Sequence, residues 1–528
     1  MSNFHSRIFS DEANQKWLAF FFVGLMACLP LSMHFTGIFT GALAAFWIIS
    51  ARFDNKIHYL NQNRFLWPIM LMPFIYAAWL INTSNISQGL NAVNHQLPLL
   101  IIPLVIGSIA SPSKTAYNIV ATFFVLAMLV GSIICTAVRF GYYLPDGKPI
   151  TDVRQMSIFI SHIRFGLMIV FGIAYLIYQA FGQNRLRLWV RVLLCIVALW
   201  FMVFLFLLQS VSCWVAMAAI MLYTAIWGKC PLLKKWHRSA IMIFLFTVVC
   251  TGLLFITHVW DEQFENRYQN QQLPQFTVFG HEYRHDTIAT DCENGHLVYQ
   301  FICETELREA WNQRSRIAFD SIDAKGQHIN STIIRYITSL GLPKDRMGVR
   351  HLSLEDIWQI EQGNANCVYK NRNHIYIKVY ELLWELDRFL RYGDANGKSV
   401  CMRFEFWHAA LHITHKNLWF GVGSGDLMDQ MTVTFDEIGS RLLPEFQKPP
   451  HNQFLSFLAM FGIVGFTLCM VSMFLPLLMV KNRHPLLPLF VIIILVNMMV
   501  EDTLKFQAGV VFYAAVYSAL LKVSDHKA

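Results

Sequence analysis

The chain has 528 residues, 55% of them apolar and 14% charged, with a mean hydropathy of +0.41. That balance excludes a string of ordinary soluble domains and predicts an all-α polytopic membrane protein. The net charge of +8 sits mainly in short loops between apolar runs, where the positive-inside rule accounts for it, and this excludes nucleic acid as the partner.

The first fifteen residues are polar and no small-residue cleavage site follows the first apolar run, so that run reads as a retained signal anchor. Apolar runs predict about twelve transmembrane helices, at about 17–33, 36–51, 65–81, 97–110, 117–138, 157–181, 188–207, 211–228, 240–260, 453–480, 485–500 and 507–522. The fourth is short, and Pro98 with Pro103 marks it as a candidate broken span. Basic residues gather in alternate loops: Arg52, Lys56 and Arg64; Lys114; Arg185 and Arg187; Lys229, Lys234, Lys235 and Arg238; Lys481 and Arg483. These loops are expected in the cytoplasm with both termini. The opposite loops are poorer in Lys and Arg: Asn82–Gln96 has none, and Arg139–Arg154 is a mild exception.

This pattern divides the chain into an N-terminal membrane region at 1–260 with about nine spans, a loop domain at 261–450, and a C-terminal membrane region at 451–528 with about three. The loop is too long for a passive connector and falls on the outer, periplasmic side. Asp286–Ala289 and Leu297–Ile302 read as strands around an Asn294-Gly295 turn. That register does not oppose Cys292 to Cys303, so no disulfide is assigned to them. The rest of the loop is mainly helical, with candidates at Glu304–Ile322, Ile329–Leu340, Ser353–Gln362, His374–Arg391 and Arg403–His415. Ser353 is a plausible N-cap.

The polar residues with chemical potential concentrate between Arg403 and Gly465. Arg403 and Trp407 are four apart on one helix face, where an Arg can hold a phosphate in bidentate fashion; a headgroup anchor is the plainer reading of the pair. His408, His412 and His415 have helical spacing but lack a zincin-type Glu, and the eleven cysteines include no CxxC, so no metal is assigned. Gly421, Gly423 and Gly425 permit close backbone approach to a ligand, or simply follow a helix end. His451 stands after Pro449-Pro450 and before an apolar helix, placed to take a proton from a hydroxyl near neutral pH. Arg164, close to His162 at the start of the sixth span, is a charge within an apolar run and so a functional candidate. Glu501 and Asp502 fall on the same side as His451.

Taken together, Arg403, Trp407, the Asn417–Gly425 stretch and His451-Asn452-Gln453-Phe454 with Gly462 and Gly465 resemble the O-antigen ligase and polymerase family. The resemblance implies a GT-C-like membrane glycosyltransferase of the bacterial inner membrane that needs no metal or other cofactor. Its donor would be an undecaprenyl-diphosphate-linked glycan, and its acceptor lipid A core for a ligase, or a second lipid-linked glycan or a protein hydroxyl for the relatives. By the same resemblance Arg403 would engage the donor diphosphate and His451 would act as base, while Asp502 or Glu501 matches an acidic residue before the last span. Arg164, His162, Trp407, Asn452, Gly421, Gly423, Gly425, Glu501 and Asp502 are the expected substrate-binding residues. One departure stands out: many members carry Ser-Arg-Gly between the seventh and eighth spans, whereas this chain reads Gln209-Ser210-Val211-Ser212-Cys213. Arg164 is the expected replacement for the missing Arg. A twelve-span transporter and a non-catalytic scaffold are the competing classes. A transporter is disfavoured because the two halves are unlike and the polar cluster is peripheral.

Overall fold

A computed structural model describes residues 11–50, 53–110, 113–143, 147, 153–182, 186–227, 235–265 and 273–525. Of the basic residues used above for orientation, Arg52, Arg185, Lys229 and Lys234 lie outside the described residues. The described residues are mostly helical. In order, the first helices are α1 (Asp11–Cys28), α2 (Met33–Ile49), α3 (Phe53–Gln62), α4 (Trp67–Ala78), α5 (Ile86–Gln96), α6 (Pro98–Gly107), α7 (Lys114–Arg139), α8 (His162–Gly182), α9 (Leu188–Leu208), α10 (Val211–Ile226) and α11 (Lys235–Gln263). A hairpin of β1 (Cys292–Glu293) and β2 (His296–Leu297) follows. Next come α12 (Glu304–Asn312), α13 (Ile329–Ser339), α14 (Arg346–His351), α15 (Leu354–Glu361), α16 (Val368–Asn371), α17 (His374–Tyr392), α18 (Ser399–Lys416) and α19 (Leu427–Glu437). The last three are α20 (Gln453–Met479), α21 (Leu486–Met498) and α22 (Gln507–Asp525).

Each apolar run read from the sequence contains a helix. Eight described helices are long and apolar enough to cross a membrane, or nine if the bent pair at Met33–Ile49 and Asp54–Gln62 is one span; Val211–Ile226 and Leu486–Met498 are apolar but shorter. Among the described residues, length and composition thus support eight or more of the about twelve spans expected from the sequence. The expected outer loop at Asn82–Gln96 is mostly helix. The Asn85 side chain caps α5 by accepting from the Gln88 N–H at 3.2 Å, and Leu97 keeps helical angles into α6. Pro98 can begin α6 because the first helical N–H needs no partner. The fourth apolar run is thus the second half of a continuous 22-residue helix, Ile86–Gly107.

The chain forms two compact units, one from 1–245 with 402–528 and one from 246–401. Residues 402–450, expected in the loop domain, fall in the first unit, and residues 246–260, expected in the N-terminal membrane region, fall in the second. Its hairpin turns at Asn294 and Gly295, whose φ values of +50° and +84° give the paired left-handed residues of a type I′ turn. The paired residues are Cys292 with Leu297 and Glu293 with His296. The expected strand at Asp286–Ala289 is instead a turn: the Asp286 carboxylate accepts from the Ile288 and Ala289 N–H groups at 2.9 and 3.0 Å. The expected helix Glu304–Ile322 stops at Asn312, whose side chain accepts from Phe319 N–H at 2.9 Å, while the Trp311 indole donates to the Ile317 carbonyl at 2.8 Å and folds the chain back. The other helices begin and end within a few residues of expectation, and Ser353 with Asp356 forms a reciprocal capping box.

One core of this unit gathers Trp311, Phe319, Ile333, Tyr336, Ile337 and Ile360, all fully buried. Beside it Glu293 is buried and fully engaged. It takes Arg335 at 2.7 Å, Asn366 Nδ2 at 2.6 Å and the Tyr380 hydroxyl at 2.9 Å. A buried carboxylate is tolerated only when paired and hydrogen-bonded in this way. The network ties the hairpin to α13 and α17.

Candidate active site

The site lies in the unit formed by 1–245 and 402–528. It is built on the first turn of α20. Asn452 caps that helix, its Oδ1 accepting from Phe454 and Leu455 N–H at 3.1 and 3.2 Å, while its Nδ2 donates to the Met499 carbonyl at 3.1 Å. Gln453 Oε1 accepts from Leu504 N–H at 2.7 Å, and Ser456 Oγ donates to Asp502 Oδ1 at 2.6 Å. Three polar residues at the head of an apolar helix thus hold the connection between α21 and α22 against it. This is how two stretches some fifty positions apart come to form one site.

His451 sits between these clamps. Its φ of +48° is left-handed, a conformation that costs a non-glycine residue about 1–3 kcal/mol and that the surroundings must enforce. The preceding Pro450 carbonyl accepts from the Trp407 indole at 3.1 Å, and the Phe406 ring lies 6.0 Å from the imidazole, so α18 supports the histidine from a second side. Nδ1 lies 3.3 Å from Glu501 Oε2. With Nδ1–H donating to that carboxylate, Nε2 carries the free lone pair.

Glu501 is the hub. Arg164 Nη2 lies 3.7 Å from its other oxygen, with side chains only 13% and 9% exposed. Burial works against ionising Glu501. The His451 hydrogen bond and the charges of His451, Arg164 and Arg403 outweigh burial, and the carboxyl sits below its usual range. Asp502, one residue on, faces away toward Ser456, and burial pushes its carboxyl above the ordinary value. Of the two candidate acids, the structure brings Glu501 and not Asp502 to His451.

Arg164, in the first turn of α8, stacks its guanidinium over the Phe506 ring at 3.8 Å, and its Nε is buried with no hydrogen-bond partner among the described residues. His162 opens the same helix. Arg403, half-buried on α18, makes no hydrogen bond or ion pair among the described residues. Burial lowers its guanidinium pKa, Glu501 acts to raise it and Arg154 lowers it further. The Gln209–Cys213 stretch forms the joint of α9 and α10. Gly166 of α8 packs so closely on it that any Cβ there would strike the Cys213 thiol.

The three glycines pack closely against neighbouring segments. Gly421 and Gly423 have φ values of +65° and +99°; a Cβ would meet the Met460 backbone at Gly421, Thr83 and Asn82 at Gly423, and Asn85 at Gly425. The stretch hydrogen-bonds into a break in α20 at Gly462, with Val422 N–H to Ala459 O at 3.0 Å and Gly423 N–H to Met460 O at 2.8 Å. On the other side Asp426 accepts the Ser84 and Asn85 N–H groups at 2.6 and 2.7 Å, and the Trp79 indole donates to the Phe420 carbonyl at 2.6 Å. The three glycines let this loop lock α20 to α4 and α5.

Sequence reading gave Gln453 no role of its own beyond the motif, and it missed Ser456 and Phe506. A polar residue at each of 452, 453 and 456, opening an otherwise apolar helix, was the available signal for the first two. Of the three α18 histidines, His412 lies 3.6 Å from Glu437, a carboxylate that also takes Lys416 at 2.6 Å.

A family model described as O-antigen ligase matches residues 364–470, a stretch that holds Arg403, Trp407, the three glycines, His451 and Asn452 but neither Arg164 nor Glu501. No curated protein matches the chain. Residues 364–470 are thus similar to the O-antigen ligase family, in line with the resemblance read from Arg403, His451 and the glycine stretch.

Proposed function

We propose that the protein is an O-antigen ligase of the bacterial inner membrane, transferring a glycan from undecaprenyl diphosphate to lipid A core at the periplasmic face. The observation that carries this reading is the His451–Glu501 pair with Arg164 on the same carboxylate and Arg403 in its field. His451 Nε2 takes the proton of the acceptor hydroxyl as that oxygen attacks the anomeric carbon. Glu501 holds the ring's orientation and stabilises the imidazolium that forms. The bond from the anomeric carbon to the diphosphate breaks on the opposite side, which inverts the centre. Arg403 and Arg164 receive the charge that develops on the leaving diphosphate, and half-buried guanidinium groups near lipid are effective there because little water competes. Asn452, Trp407 and the glycine loop act as the frame, and His162 lies beside the donor site. No step needs a metal ion.

The deciding experiment offers the purified protein a lipid-linked glycan together with lipid A core, a second lipid-linked glycan or a protein acceptor, each in turn. Transfer to lipid A core is expected. Chain extension on the second lipid-linked glycan would instead make the protein a polymerase of the same family, and transfer to a protein hydroxyl an oligosaccharyltransferase. No transfer to any acceptor would overturn the enzyme reading.

A further inference from the structure

The compact unit at 246–401 contains a cleft of about 310 Å³ that the transfer chemistry does not use. It opens between the segment that follows β2 and the loop that precedes α14, and Tyr283, His296, Gln300, Phe301, Thr338 and Lys344 are among its walls. The walls are clipped together by backbone. Lys344 N–H donates to the Phe301 carbonyl at 2.8 Å and Cys303 N–H donates to the Lys344 carbonyl at 2.9 Å. Phe301 is held at a φ of +55°, a conformation that needs such support. Gly341 has no Cβ to crowd His296, whose Nε2 would lie 2.8 Å from one.

Lys344 is the anomaly. It is 2% exposed, yet its ammonium donates only to the Leu297 carbonyl, at a long 3.3 Å, and has no ion-pair partner among the described residues. The adjacent Asp345 is already committed to the Tyr283 hydroxyl and the Gly348 N–H. His296 brings a second basic group close enough to Lys344 for its pKa to be lowered, first by burial and then by that charge. Burial pushes the Lys344 amine down to about 7. A buried amine with no counter-charge costs stability whether it keeps its proton or gives it up. An anion arriving in the cleft would find both basic groups already desolvated and in place. The other walls are mixed: two aromatic rings, with the neutral polar groups of Gln300 and Thr338. A cavity near the lower end of the size range for small-molecule sites holds one or two sugar rings.

We propose that this cleft binds a saccharide unit bearing an anionic substituent, a carboxylate or a phosphate, with Lys344 and His296 on the charge and Tyr283 and Phe301 against the apolar face of the ring. The proposal rests on the walls of this cleft and not on the transferase reading, and a binding measurement tests it without any transfer.

The test is calorimetric titration of the full-length protein in detergent with glucuronic acid, glucose 6-phosphate, glucose and inorganic phosphate. At least one of the two anionic sugars should bind at least tenfold more tightly than both glucose and phosphate, and the stronger of the two identifies the substituent. Lys344→Met should weaken that binding at least tenfold. Gln300→Trp, at a half-buried wall position, should block the cleft while leaving Lys344 intact, and it carries the test if Lys344→Met fails to fold. The proposal is overturned if neither anionic sugar binds, if glucose binds equally well, or if phosphate alone binds equally well, which would mean a simple anion site. Unchanged affinity in a folded Lys344→Met or Gln300→Trp protein would also overturn it.

Discussion

His451 and Glu501 face each other at 3.3 Å across two segments that the chain brings together through the polar head of α20. The distance is long for a hydrogen bond and suits a pair that tightens when the imidazole becomes charged. Glu501→Asp keeps the charge and withdraws it from the ring by one methylene. We expect kcat for transfer to fall about tenfold to a hundredfold with little change in melting temperature, within the range for loss of acid–base positioning. His451→Gln, which removes the base, should cost about 10²–10⁴-fold. Retention of full activity in His451→Gln would remove the histidine from the mechanism.

Glu501 is also a stability element, with a sign that follows from its lowered pKa. Its contribution is fully present above the ordinary glutamate value of about 4.3 and is lost as pH falls through the lower folded value. Glu501→Gln leaves Arg164 buried without its counter-charge. The variant should therefore lose about 3–5 kcal/mol at pH 7, as broken buried pairs do, and less at pH 3. Thermal melts of both proteins at the two pH values check this, and an equal loss at both would show that the pair carries no charge-dependent stability.

The fold was largely legible because lipid demands apolar helices, and every apolar run marked a helix. What misled was polar sequence. Asn82–Gln96 looks like a loop by composition, but Asn85 caps it and Asp426 anchors its start, a tertiary contact that no local pattern reveals. Arg403 and His451 could be read from the motif they share, and the family match covers both. That Glu501 rather than Asp502 meets the histidine could not be read. The choice depends on which way a short non-helical connection turns, and Ser456 settles it by taking Asp502. The glycines left two readings, close approach of a ligand or a helix end, because spacing cannot show that Met460, Asn82 and Asn85 crowd the Cβ positions.

The glycine loop gives a purely structural prediction. Gly423→Ala must place a methyl group into Thr83 and Asn82 while holding a φ of +99°. Strain and overpacking of this kind each cost about 1–3 kcal/mol. We expect a clear drop in melting temperature and in yield of folded protein. Gly439→Ala is the control: it shares a positive φ, +65°, but meets nothing within 4 Å and should lose little beyond the backbone term. Equal effects of the two would show that crowding at Gly423 is unimportant.

In the compact unit at 246–401 the Lys344 amine, pushed down to about 7 by burial, makes stability depend on pH in the opposite sense to a carboxylate. Between about 7 and the unfolded value of about 10.4, the unfolded chain holds a proton that the folded chain has lost, so stability rises with pH. The slope for one full proton is about 1.4 kcal/mol per pH unit. His296 and Tyr283 also face this cleft, and buried cysteines of the unit titrate above pH 8 with the opposite effect. The quantity to read is therefore the difference in unfolding free energy between wild type and Lys344→Met from pH 7 to 8. It should change in favour of the wild type as pH rises, and a flat difference would mean that Lys344 stays charged when folded.

The last prediction concerns Arg164, which has two readings. As the counter-ion of Glu501 it would be structural. As a diphosphate contact it would replace the Arg missing after Ser210. The geometry leaves room for the second role. Its approach to Glu501, 3.7 Å, is too long for a strong hydrogen bond, and its buried Nε has no partner among the described residues. Phe506 holds the guanidinium plane from one face, which fixes the fork without using its N–H groups. A guanidinium held in this way offers donors to a ligand with two phosphates. Arg164→Lys keeps the charge beside Glu501 and loses the planar fork. If the diphosphate uses that fork, transfer should fall about a hundredfold or more, the effect of about 2–4 kcal/mol lost from the transition state, while the melting temperature holds. If Arg164 only balances Glu501, lysine should serve nearly as well and transfer should stay within a few-fold of wild type. Steady-state transfer and donor affinity, measured on variants of matched thermal stability, separate the two. Near-normal values for Arg164→Lys would leave Arg403 as the only arginine assigned to the diphosphate.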